Sequence, residues 1–164
     1  MPTRNIALLL IASTLSSAQR AGHQKPEYHL PLPIEQCTSD GCAAVSSKVV
    51  LDSNWRWTHK AGDYHNCFTG STWNPSFCPT AEACTANCAL DGVPQNTWQD
   101  TYGVSSSDGA LKLSYVTGAN VGSRTYLMAE DDDHYFLFKL KNKEFAFDID
   151  VSTLPCGLNG AMYL

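Results

Sequence analysis

Phe145-Ala146-Phe147-Asp148-Ile149-Asp150-Val151 alternates without a slip. In an extended chain Phe145, Phe147, Ile149 and Val151 fall on one face. Glu144, Ala146, Asp148 and Asp150 fall on the other, the pattern of a half-buried strand. The same period recurs upstream. Leu111, Leu113 and Tyr115 alternate with Lys112 and Ser114, and Phe136, Phe138 and Leu140 are flanked by Lys139 and Lys141. Residues 48–51, 54–58 and 124–128 are further strand candidates. Turn residues separate these runs: Ser107-Asp108-Gly109, Thr117-Gly118, the acidic residues 130–133, and Lys141-Asn142-Lys143. Several short strands and no long helical period predict an all-β fold, an antiparallel β-sandwich. One helix is expected over residues 81–88, capped by Thr80, with Cys84 and Cys88 on one face. Residues 21–35 carry Pro26, Pro31 and Pro33 and read as an extended lead-in.

A chain of 164 residues suffices for one domain. Its formal net charge of −5 comes with no Lys/Arg run or basic stripe. Phosphate neutralisation needs clustered cations, so no nucleic-acid partner is expected. The N-terminus has the three parts of a secretory signal peptide, placed at residues 1–18. Arg4 is the cationic start, residues 6–12 are an apolar run too short to span a bilayer, and Ser16-Ser17-Ala18 supplies small residues at the cleavage point. Residues 19–164 are then the secreted domain, beginning at Gln19, with no membrane partner.

Seven cysteines in a secreted chain imply disulfides, and an odd count leaves one without a partner. Cys67, Cys78, Cys84 and Cys88 match no common zinc spacing. No metal ligand set, phosphate-binding loop or nucleophile-elbow motif is present, and no cofactor is expected.

Asn54-Trp55-Arg56-Trp57-Thr58-His59 is the most pointed constellation. On a strand, Trp55 and Trp57 share a face about 7 Å apart, with Arg56 opposite. Such a pair forms an apolar platform suited to the C–H faces of sugar rings. Covering one indole face contributes roughly 2–3 kcal/mol at most. The spacing alone favours two core residues of a sandwich, since strand tryptophans are usually core. Asp148 and Asp150, on one strand face, are the only carboxylate pair at a spacing that invites comparison with a retaining glycosidase; a solvated outer face accounts for them as well.

Longer blocks carry a family resemblance. Leu51-Asp52-Ser53-Asn54-Trp55-Arg56-Trp57-Thr58-His59 resembles the opening of family 7 glycoside hydrolases. So, in order, do Asn87-Cys88-Ala89-Leu90-Asp91-Gly92, Thr101-Tyr102-Gly103-Val104, the run from Asn120 to Met128, and Leu154-Pro155-Cys156-Gly157-Leu158-Asn159-Gly160-Ala161. The resemblance covers residues 37–164, roughly the first third of the family's catalytic domain. It implies the N-terminal part of a concanavalin-like jelly-roll sandwich whose concave face holds a cellulose chain, and hydrolysis of β-1,4-glucosidic bonds with retention.

It also implies roles. Trp57 is a glucose-stacking platform at the far entrance and Trp55 a second one deeper in. Arg56, Asn120 and Arg124 bond sugar hydroxyls, and Asn159 and Tyr163 lie near the cleavage point. The disulfides are Cys37–Cys42, Cys67–Cys88 and Cys78–Cys84, with Cys156 unpaired. The family's catalytic carboxylates lie in a Glu-x-Asp-x-x-Glu strand motif. These 164 residues contain none, so no catalytic residue is assigned and the resemblance gives Asp148 and Asp150 a structural place only. Asn159 after Leu158 and the run Val121-Gly122-Ser123-Arg124 resemble the cellobiohydrolase branch. The expected protein is a secreted, monomeric cellulase represented by an N-terminal fragment. The alternative is a non-catalytic secreted glucan-binding protein. A reading frame that continues past Leu164 into the carboxylate motif decides for the enzyme, and a stop codon there for the binder.

Overall fold

The computed structural model describes residues 19–164. The expected signal peptide lies outside the described residues. In chain order come β1 (Arg20–Ala21), β2 (Leu30–Pro31), β3 (Ile34–Thr38), β4 (Gly41–Val45), β5 (Ser47–Leu51) and a single 3-10 turn (Ser53–Trp55). They are followed by β6 (Thr58–Lys60), α1 (Ala81–Asn87), β7 (Cys88–Leu90), α2 (Gln95–Asp100), β8 (Val104–Ser107), β9 (Ala110–Leu113), β10 (Val116–Thr117), β11 (Asn120–Val121) and β12 (Thr125–Ala129).

Strand β5 is the organising element. It pairs antiparallel with β12 (Leu51 opposite Thr125) and with β2 (Val49 opposite Leu30). Ser47, Val49 and Leu51 are buried, while Lys48 and Val50 between them are only half-buried. Val49 and Leu51 meet Val93, Trp98 and Val104 in the core, and Tyr28, Leu30, Leu32, Trp55, Tyr102, Leu111 and Leu127 close around them. A second sheet has the order β1-β7-β6, with β1 parallel and β6 antiparallel to β7. Three hairpins, β3-β4, β8-β9 and β10-β11, complete the pairing. The β8-β9 turn forms where Asp108 and Gly109 both adopt positive φ, the backbone that a tight hairpin needs. This all-β, largely antiparallel architecture is the expected class.

The structure joins Cys37–Cys42, Cys67–Cys88 and Cys78–Cys84. The Cys67–Cys88 bridge closes a separation of 21 residues, a constraint of about 3 kcal/mol on the unfolded chain. It ties β7 to the loop after β6. Sγ of Cys78 lies 3.4 Å from Sγ of Cys88, so the second and third bridges abut. Helix α1 starts where expected, with Thr80 Oγ1 accepting the Ala83 N–H at 3.2 Å.

Three expectations are corrected. Residues 54–58 are not a strand. The Asp52 carboxylate accepts the Asn54 N–H at 2.8 Å and folds Ser53–Trp55 into the 3-10 turn, so strand pairing begins only at Thr58. Residues 136–140 and 144–151 do not form strands either. Phe136 donates to the Leu127 carbonyl at 2.9 Å, continuing the contact with β12, but no ladder follows. Phe136, Phe138, Phe145 and Phe147 meet in succession at centroid separations of 4.9, 4.8 and 5.7 Å. Phe147, Ile149 and Val151 remain exposed. Alternation predicts a face, but a strand needs a neighbour for its N–H and C=O groups, and among the described residues no backbone ladder pairs residues 144–151 with another segment. Helix α2 was not expected. Six residues show no period; the signal was Pro94, whose fixed φ suits a helix start.

Candidate functional site

The two indoles near the head of the chain sit in different surroundings, because the 3-10 turn separates them. Trp55 packs against the core edge, and its Nε1 donates to the Val121 carbonyl at 3.3 Å. The Arg124 guanidinium lies over its ring, 5.7 Å from the centroid. Arg124 immediately precedes β12, which β5 holds in register, and its side chain is 49% exposed. Asn120 lies on the adjacent β10-β11 hairpin, its Nδ2 donating to the Gly122 carbonyl at 2.9 Å.

One buried carboxylate organises this patch. Asp52 is 6% exposed. Its Oδ1 takes the Asn54 N–H. Its Oδ2 takes Arg124 Nε at 2.9 Å and the Tyr126 hydroxyl at 2.7 Å, with Arg124 Nη2 at 2.8 Å. Burial alone raises the carboxyl pKa, but the Asn54 N–H, the Tyr126 hydroxyl and the Arg124 guanidinium outweigh it and hold Asp52 below the usual carboxylate range. The same contacts push the Arg124 and Tyr126 values up.

Trp57 is half-buried in a second group. His59 stacks on it at 4.1 Å, Tyr64 tilts against it at 5.9 Å, and Lys25 Nζ lies 5.1 Å from the ring centroid. Its Nε1 donates to Asn66 Oδ1 at 2.6 Å. Behind the stack, His59 and Asp91 are almost wholly buried. His59 Nδ1 faces the carbonyls of Lys60 (2.8 Å) and Asp63 (2.6 Å), so Nδ1 carries the proton. Nε2 stands 3.0 Å from Asp91 Oδ2, at ion-pair distance but poorly aligned, and neither atom has another partner. Asp91 Oδ1 accepts the backbone N–H groups of Gln24, Lys25 and Gly92 at 3.1–3.2 Å. This stitches the lead-in beneath Trp57.

Arg56 is largely committed. Nη2 and Nη1 reach the two Glu27 oxygens at 2.6 and 2.7 Å, Nη1 also donates to the Asp91 carbonyl at 3.4 Å, and Nε donates to the Leu51 carbonyl at 2.9 Å. One N–H on Nη2 remains for a ligand. Asn159 and Tyr163 are exposed and hydrogen-bonded to each other at 2.8 Å. No hydrogen bond among the described residues links them to either indole. Asp150 accepts the Ser152 hydroxyl and N–H, which hold its carboxyl low.

The structure therefore brings together Trp55, Asn120 and Arg124, and sets Trp57 and Arg56 beside them on the neighbouring β6-β7 edge. Sequence reasoning missed Asp52, Tyr126, Glu27 and the His59–Asp91 pair. Asp52 had a signal: an acid directly after an apolar strand and before a turn. The others are joined only by the fold. Among the described residues, two groupings of Cys and Glu atoms are close enough for a metal: Cys67 with Cys78 and Cys88, and Glu35 with Cys37 and Cys42. Their sulfurs are all in disulfides and offer no thiolate. A concavity of about 400 Å³ is lined by residues such as Lys60, Phe77 and Asn87 and includes none of the sugar-binding candidates. Among the described residues no helix is long and apolar enough to cross a membrane.

Comparison with known proteins gives a consistent result. The family model described as glycosyl hydrolase family 7 matches residues 21–164. The chain is 52% identical over 162 residues to exoglucanase GH7B of Limnoria quadripunctata, covering 96% of this chain and 35% of that protein. A cellobiohydrolase from Daphnia pulex superposes with a TM-score of 0.67 at 44% identity, covering 69% of this chain and 26% of that one. A cellobiohydrolase from Melanocarpus albomyces, solved in complex with cellotetraose, superposes with a TM-score of 0.59 at 41% identity, covering 66% of this chain and 25% of that one. The chain thus spans about a third of the length of the curated relative it matches.

Proposed function

The chain belongs to glycosyl hydrolase family 7, and from that premise we propose that it forms the glucan-binding portion of a secreted cellulase of the cellobiohydrolase type. The carrying observation is the patch of Trp55, Arg124 and Tyr126 beside Asn120, part apolar ring and part hydrogen-bond donor. A glucose ring presents C–H groups on its faces and hydroxyls on its rim. The indole covers a face, and the free Nη1 of Arg124 and the Oδ1 of Asn120 meet rim hydroxyls. Trp57, with Lys25 near its ring and His59 stacked beneath it, is the second platform. The names of the relatives, an exoglucanase and cellobiohydrolases, support the cellobiohydrolase branch.

Retaining hydrolysis needs two carboxyl groups about 5–5.5 Å apart across the scissile bond, one as nucleophile and one as acid/base. The Glu-x-Asp-x-x-Glu motif that carries them in the family is absent from these 164 residues. The role of this portion is therefore to bind and orient, which itself lowers the barrier by several kcal/mol, and residues 19–164 alone hydrolyse no glycosidic bond. Incubation with a chromogenic lactoside tests the second statement. Turnover that disappears in Asp148→Asn or Asp150→Asn would overturn it. For the binding role, Trp57→Ala in the full-length protein weakens action on crystalline cellulose and spares small soluble glucosides, because only long chains reach a distal platform. Equal loss on both substrates with a lowered melting temperature would make Trp57 a packing residue instead.

A further inference from the structure

We propose that Asp52 is a positioning residue for the glucan patch: one buried carboxylate that sets both the indole of Trp55 and the guanidinium of Arg124. This rests on the reading of that patch as a glucose-binding surface and assigns the group that builds it. Two oxygens act on two elements. Oδ1 caps the 3-10 turn through Asn54 and so decides where Trp55 leaves the backbone. Oδ2 accepts Arg124 Nε, with Nη2 alongside, and the Tyr126 hydroxyl. The backbone adds a third tie, since Asp52 N–H donates to the Arg124 carbonyl at 2.9 Å.

The consequence is a directed donor. Arg124 uses Nε and one side of Nη2 inward, which leaves both N–H groups of Nη1 and one of Nη2 outward, beside the ring of Trp55. An unrestrained arginine spreads over many rotamers and loses that freedom when a sugar binds. Asp52 removes the loss in advance, because the side chain is already held. The carboxylate itself is 6% exposed, so it acts through Arg124 and Trp55 rather than on the sugar.

The test is the dissociation constant for cellohexaose, measured by calorimetry on the protein and its variants, with melting temperature and circular dichroism as fold controls. Asp52→Asn keeps the shape and the acceptor for Asn54 but loses the charge. It weakens binding about tenfold, the loss that follows from one misplaced charge-assisted hydrogen bond. Asp52→Asn adds little in an Arg124→Ala background, because the two act as one unit. Full additivity, or an Asp52→Asn variant that binds like wild type while Arg124→Ala does not, overturns the proposal. Should Asp52→Asn fail to fold, Arg124→Lys decides. Lysine keeps the charge but cannot hold Asp52 and reach outward together, so binding falls as far as in Arg124→Ala; wild-type affinity in the lysine variant overturns the proposal. If Trp55→Ala and Arg124→Ala both bind like wild type, the glucan reading of the patch is itself wrong.

Discussion

Replacing Asp91 separates two consequences of one buried carboxylate. In Asp91→Ala the backbone N–H groups of Gln24, Lys25 and Gly92 lose their acceptor, and His59 Nε2 loses the Asp91 Oδ2 that lies 3.0 Å away. Each hydrogen bond to a charged group is worth about 1.5–3 kcal/mol, and breaking a buried pair by removing one partner costs about 3–5 kcal/mol. These losses overlap, so the expected destabilisation is about 3–5 kcal/mol in total. Asp91→Asn behaves differently. The amide oxygen still accepts the three N–H groups. The amide nitrogen turns towards His59 Nε2, which can accept because the ring proton sits on Nδ1. The carboxylate charge is lost with the geometry kept, at a cost of about 1 kcal/mol. Gly22→Ala strikes the same place from the other side. Its Cβ would lie 2.7 Å from Asp91 Oδ1 and 2.9 Å from His59 Nε2, both atoms of side chains with no room to move. The assay is equilibrium urea unfolding, followed by tryptophan fluorescence with the disulfides intact. An alanine variant within about 1 kcal/mol of wild type, or an asparagine variant as unstable as alanine, would refute this account of the pair.

Further outcomes are checked more simply. Because Asp52 is held below its ordinary value, the unfolded chain binds its proton more readily. Its contribution is complete above the unfolded carboxylate range, about pH 4, and is lost as pH falls through the lower folded value. Acid unfolding of Asp52→Asn is therefore flatter than wild type below about pH 4, and superimposable acid limbs would contradict this. Cys156 is exposed and unpaired in the 164-residue chain, so iodoacetamide labels it without reductant while the other six cysteines stay bridged. Peptide mapping that finds Cys156 bridged to any of them is the contrary result.

Local information in the chain was enough for the all-β class, the helix after Thr80, the turn at Asp108-Gly109 and the strands at residues 48–51 and 124–128. Each is decided by neighbours a few positions apart: alternation, a capping oxygen, positive φ. The ordered blocks around Trp55 and Asn120 were also sufficient to indicate the family. Tertiary structure alone decided what those residues do together. The Phe145–Phe147–Ile149–Val151 face alternates perfectly yet lacks a ladder, because a strand's hydrogen bonds belong to its partner and not to itself. The two indoles lost their shared strand to one carboxylate, whose other oxygen holds an arginine 72 positions away. His59 and Asp91, like Glu27 and Arg56, are ordinary surface types in the sequence; only the fold brings each pair together, because a polar group removed from water must find its partner in space, at whatever sequence distance the fold supplies one.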